Sequence, residues 1–136
     1  MRKCKIGIVG FGTVGSGIYK ILSSEVDKHP ILNEIEIVKI AVKDLNKKRD
    51  IELANNLLTA HPFKIIHDPS IDVVVEVMGG VDLAKDIILQ SLKLGKSVVT
   101  ANKAVIARYG EEIYKTASKE GVYIYCQRRQ FAGGFL

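Results

Sequence analysis

The chain has 136 residues, 47% of them apolar, and a formal net charge of +5. That length makes one domain with a core of its own, and no run of 18 apolar residues offers a membrane span. Lysines and arginines are scattered rather than clustered with aromatics, which speaks against a nucleic-acid surface and for a solvated basic face open to an anionic ligand.

The opening "MRKCKIGIVG" lacks a long apolar core and a small-residue cleavage site, so no signal peptide is expected. Cys4 and Cys126 are too few for a disulfide framework. They read as reduced thiols in a cytoplasmic protein.

In chain order, "CKIGIVG" (4–10) is a short apolar run ending in glycine, the pattern of a strand buried on both faces. From Thr13 to about Val26, apolar residues recur at helical spacing. "EIEIVKIAVKD" (34–44) is β-branched and predicts a second strand. "DIELANNLL" (50–58) predicts a short helix, and "FKIIHD" (63–68) a third strand closed by "DPS". "IDVVVEVMGG" (71–80) predicts a fourth strand, followed by a helix from Leu83 to Leu94 with Gly95 beyond its end. "KSVVTA" (96–101) is the fifth strand, a helix runs from about Tyr109 to Lys119, and "VYIY" (122–125) is the sixth strand. Alternating strands and helices, with continuous apolar strands, predict an α/β fold: a doubly wound parallel sheet of the Rossmann type in the order 3-2-1-4-5-6. That order keeps the first and sixth strands apart, so Cys4 and Cys126 cannot pair.

Gly10, Gly12 and Gly15 make G-x-G-x-x-G, with a strand running into the motif and a helix opening inside it. Gly10 permits the tight turn, Gly12 leaves room for a pyrophosphate, and Gly15 lets the helix pack on the strand. Amides of Phe11, Thr13 and Val14 at the helix N-terminus then face an anion. Beyond the second strand, Lys43 stands at the tip, followed by Asp44 and by Lys47, Lys48 and Arg49. An acid there would hold the ribose of NAD, and a basic group the 2′-phosphate of NADP; this basic crowd favours NADP.

Three stretches, "VGFGTVGSG" (9–17), "DPSIDVVVEVMGG" (68–80) and "GKSVVTANKAVIA" (95–107), together resemble the cofactor-binding half of homoserine dehydrogenase, over roughly residues 4–125. The resemblance implies NAD(P)-linked interconversion of aspartate semialdehyde and homoserine, on the way to threonine, methionine and isoleucine. It places Lys103 of "TANK" beside nicotinamide and substrate, where a cation stabilises a developing alkoxide. Gly79 would let the nicotinamide end approach the backbone. Thr100 and Asn102 are candidates for hydrogen bonds to its ribose. Glu76 sits in an apolar run, either buried with a partner or at the cleft.

Departures from the family are Leu83, where a proline is usual, and the tail "CQRRQFAGGFL" (126–136). The tail lacks the glutamate that helps bind a monovalent cation in the family, so no metal is expected. A reading-frame slip or a cloning artefact would explain it. Residues 1–125 are thus expected to form an NAD(P)-binding domain and 126–136 an atypical tail, without the family's substrate domain. Expected partners are a nicotinamide dinucleotide and, through apolar surface left bare, a second copy; neither nucleic acid nor membrane is expected. The rival readings are another oxidoreductase of this fold and a regulatory NAD(H)-sensing module. Against the first, Lys103 precedes alanine where such enzymes carry proline; against the second, a sensor needs no electrophile-stabilising cation.

Overall fold

A computed structural model describes residues 3–24, 30–47, 53 and 55–126. Several expectations therefore lie outside the described residues: Val26 in the first helix, Lys48 and Arg49, residues 50–52 and 54 of the helix over 50–58, and the tail from 127 onward.

The strands are β1 (Cys4–Val9), β2 (Ile35–Ala41), β3 (Leu58–Thr59), β4 (Val73–Glu76), β5 (Ser97–Thr100) and β6 (Ile124–Cys126). The helices are α1 (Thr13–Ser23), α2 (Pro62–Ile66), α3 (Asp82–Lys93) and α4 (Lys103–Glu120), with 3-10 turns at Pro30–Glu34 and Asn55–Leu57. All strand pairs are parallel, in the order β3-β2-β1-β4-β5-β6. This is the doubly wound order expected from the alternation of elements. β1 and β6 are separated by two strands, and Cys4 and Cys126 are not joined by a disulfide.

The third strand corrects the sequence reading. Residues 63–68 are not a strand; Pro62–Ile66 is one turn of helix, with proline at its start. Proline's fixed φ and missing N–H suit the first helical position. Two adjacent isoleucines gave no period by which to separate strand from helix. The strand is instead the pair Leu58–Thr59, in register with Ile40 and Ala41. The segment expected as a helix over 50–58 contributes the 3-10 turn at Asn55–Leu57 and the start of β3. α4 also begins six residues earlier than its apolar spacing suggested, because Asn102 caps it.

Each face of the sheet has its own core. Ile6 and Ile8 of β1, with Ile40 and Val75, pack against Ile18, Tyr19 and Leu22 of α1. Val9, Val74 and Val98 point the other way, onto a larger core made by Ile65, Ile66, Ile87, Ile88, Leu92 and Ile113. Gly7 faces α2 so closely that a Cβ there would overlap Ile65 Cγ2. At the other end of the strands, Lys96 is buried and its Nζ donates to the carbonyls of Asp68 (2.6 Å) and Ile71 (2.8 Å). Burial lowers its pKa below the ordinary lysine value, against the attraction of Asp68 and Asp72.

On the α1 side, cover thins toward β6. Registered neighbours Ile8, Val75, Val99 and Tyr125 are 0%, 6%, 36% and 62% exposed. The expectation of a sheet covered on both faces therefore holds for β1 and β4 but not for the Val99–Tyr125 row among the described residues.

Candidate functional site

The carboxyl ends of β1, β2 and β4 open into a cleft of about 530 Å³, lined by Gly10, Phe11, Gly12, Lys43, Asp44, Lys47, Met78 and Gly79 among others. This is where parallel sheets of this topology hold ligands. The strand ends are pinned: the amide of Gly10 donates to Ala41 (2.9 Å), and that of Val77 to Val9 (2.9 Å).

The glycines of the turn do different jobs. Gly10 has φ +105°, a left-handed conformation, and a Cβ there would stand 3.0 Å from the backbone of Val77 and Met78. A Cβ on Gly15 would stand 2.5 Å from the carbonyl oxygen of Gly10. Gly12 differs: nothing lies within 4 Å of the place its Cβ would take. Packing explains Gly10 and Gly15, whereas the bare backbone at Gly12, the N-cap of α1, stands open on the cleft wall. Among the described residues no side chain caps α1, whose N-cap is Gly12 and whose first turn, Thr13 and Val14, is exposed. Uncapped amides, the helix dipole and an open glycine cradle fit a pyrophosphate.

Past β2, Lys43, Asp44 and Lys47 are exposed on the cleft wall. Asp44 folds back on its own turn, its Oδ1 accepting from the amide of Asn46 at 2.9 Å. Ala60, Pro62 and Leu83 complete the apolar lining. The sequence offered no signal for Ala60 and Pro62, since their place depends on the two-residue β3 and on the turn of α2.

At β4 and β5 the structure separates residues that the sequence reading grouped. Glu76 is fully buried, paired in register with Thr100. The Thr100 hydroxyl donates to Glu76 Oε1 (2.5 Å) and accepts from the amide of Asn102 (2.9 Å). The amide of Met78 donates to Glu76 Oε2 at 3.1 Å. Burial raises the Glu76 pKa above the ordinary value, opposed by its hydrogen bonds from Thr100, Met78 and Asn102. Thr100, only 1% exposed, thus has its hydroxyl turned inward onto Glu76. Asn102 caps α4 by accepting from the amide of Val105 (3.0 Å), while its Nδ2 donates to the carbonyl of Gly80 (2.6 Å). That bond ties the start of α4 to the Gly79–Gly80 loop. Lys103, the first residue of α4, is exposed beside this tie. A cation at the positive end of a helix is disfavoured by the dipole, so fold stability does not account for a lysine there.

The family described as "Homoserine dehydrogenase, NAD binding domain" matches residues 10–127. The chain belongs to the homoserine dehydrogenase family, as its NAD-binding domain. It is 48% identical over 120 residues to the homoserine dehydrogenase of Synechocystis sp., covering 88% of this chain and 28% of that protein. It is 42% identical over 136 residues to the homoserine dehydrogenase of Bacillus subtilis, covering 98% and 31%. The crystal structure of a homoserine dehydrogenase from Thiobacillus denitrificans superposes with a TM-score of 0.81 at 38% identity, over 93% of this chain and 30% of that one. The chain therefore spans about a third of the length of the relatives it matches. The family match decides between the rival readings in favour of a homoserine dehydrogenase domain, with a nicotinamide dinucleotide as its cofactor. Among the described residues, no helix is long and apolar enough to cross a membrane, and no cluster of three metal-ligating side chains occurs.

Proposed function

We propose that this domain is the cofactor half of an enzyme that interconverts aspartate semialdehyde and homoserine, with NADP favoured over NAD. The observation that carries the reading is Gly12: an open glycine at an uncapped helix N-terminus, on the wall of the cleft. The amides of Phe11, Thr13 and Val14 hold the pyrophosphate, with Gly10 and Gly15 fixing their geometry. Lys43 meets the 2′-phosphate, helped by Lys47, while Asp44 is drawn into its own turn. Gly79 offers bare backbone to the nicotinamide end. Thr100 and Asn102 act by shaping that end, Thr100 from the interior and Asn102 through Gly80.

A nicotinamide bound here would supply the chemistry of hydride transfer. Lys103 directs its cation toward the reacting carbonyl and stabilises the negative charge that builds on oxygen. These residues furnish only the cofactor side of the near-attack geometry that such a transfer needs. The 136-residue chain by itself therefore binds the dinucleotide without turning over homoserine. The row Val99 and Tyr125 is apolar surface through which copies self-associate. Two unbridged thiols agree with a cytoplasmic setting.

The test is an absorbance assay of NADP reduction by homoserine with the purified chain, alongside calorimetric titration with NADPH. Binding without a rate above blank supports the reading. A measurable rate contradicts the confinement of these residues to the cofactor side, and no binding contradicts the cofactor assignment.

A further inference from the structure

Two loops follow neighbouring strands at the carboxyl edge of the sheet, one after β4 (Val77–Gly80), which lines the cleft, and one after β5 (Ala101–Asn102), which is tied to it. They are separate in sequence and belong to different strands, yet one buried carboxyl reaches both. Glu76 receives the amide of Met78 on one oxygen and the hydroxyl of Thr100 on the other. Thr100 in turn receives the amide of Asn102, whose side chain closes the circuit on the carbonyl of Gly80. A backbone bond from Ala101 to the Glu76 carbonyl (3.2 Å) runs alongside. Three of these bonds cross between the strands, Thr100 to Glu76, Asn102 to Gly80 and Ala101 to Glu76, and the bonds of Met78 and Asn102 anchor each loop to that crossing.

We propose that Glu76 is a positioning residue that locks these two loops into one unit, so that Gly79 and Lys103 hold a fixed relation to each other at the nicotinamide end. Core packing alone does not ask for this residue. Its strand neighbours Val73, Val74 and Val75 are apolar, and a fourth valine would bury more cheaply than a carboxyl that needs hydrogen-bond donors. The carboxyl is kept where the Met78 amide and the Thr100 hydroxyl converge, and what it gains is the relative placement of the two loops. No atom of Glu76 is exposed, so it acts on a ligand only through them.

The inference concerns loop geometry, and its link to binding rests on the cofactor reading above. Two measurements separate them. The first needs no ligand. Thr100→Val removes the hydroxyl while leaving the Met78 amide its own acceptor on Glu76. Coupled loops require amide exchange to quicken at Met78 as well as at Asn102, by about tenfold at each, the loss of roughly one hydrogen bond. Thr100→Ser restores both rates. Quickening at Asn102 alone would show independent loops and overturn the proposal.

The second compares NADPH with 2′,5′-ADP, which carries the adenine half but no nicotinamide. Glu76→Gln, similar in volume but with one acceptor oxygen in place of two, is expected to weaken NADPH about tenfold and 2′,5′-ADP less than about twofold. Equal weakening of both, or of neither, would overturn the positioning role. Wild-type protein that binds neither probe refutes the cofactor reading instead, and the exchange experiment then decides the coupling by itself.

Discussion

The carbonyl oxygen of Gly10 lies where a side chain on Gly15 would have to begin: a Cβ there would stand 2.5 Å from it. The first turn of α1 is thereby pressed onto the end of β1, which brings its uncapped amides to the mouth of the cleft. Gly12, between the two, has no such neighbour.

The two glycines should therefore fail differently. Gly15→Ala forces backbone apart and is expected to cost about 1–3 kcal/mol of stability. Gly12→Ala should leave the melting temperature within about 2 °C of wild type, since φ is negative and the space is open, yet weaken dinucleotide binding about tenfold or more by putting a methyl where the pyrophosphate sits. Thermal melts and titrations of both variants check the contrast. A Gly12→Ala protein that binds normally would show that the open space is not the ligand's.

Lys43 is the proposed contact for the 2′-phosphate. Lys43→Ala is expected to weaken NADPH about tenfold, the loss of one charge-assisted bond to phosphate, and NADH less than about twofold. Paired calorimetric titrations measure the ratio. Equal losses would remove Lys43 from the 2′-phosphate and leave NADP without its best support.

Glu76 gives the stability a defined pH dependence. Its folded pKa is raised by burial, so the folded state holds this proton more tightly than the unfolded chain. The stabilisation is complete below the ordinary glutamate value, where both states are protonated, and is lost as pH rises through the raised folded value. Glu76→Gln lacks this dependence. In urea melts from about pH 4 to about pH 8, wild type should lose stability relative to the variant as pH rises. A difference that stays constant would mean that the carboxyl is ionised equally easily in both states.

Lys96 serves the fold and not the cleft. Lys96→Met strips two carbonyls, Asp68 and Ile71, of their donor and is expected to cost about 1–3 kcal/mol. NADPH affinity, measured well below the melting temperature, should be unchanged.

Much of this was legible in the sequence because its signals are local. The glycine spacing, the valine run before Gly79 and the alternation of elements fixed the sheet order and put Gly10, Gly12, Gly79 and Lys43 on one cleft. What escaped was decided by contacts across the sheet. α2 forms where proline opens a helical turn that buries Ile65 against Gly7, and no period in four residues announces that. Thr100 looked like a ligand contact because of its position at a strand end, but registry with Glu76 turns its hydroxyl inward. Asn102 was read for its side-chain chemistry, and its use as the cap of α4 became visible only with the helix boundary. Glu76 stood out as an acid among valines, and only its hydrogen-bond donors show which loops it joins.

The most direct test of the central claim, that the glycine turn and its cleft form a working dinucleotide site, is calorimetric titration of the purified 136-residue chain with NADPH and with NADH, without substrate. The account predicts saturable one-to-one binding of both, with NADPH the tighter. Absence of heat with either, from protein shown by circular dichroism to be folded, would contradict it.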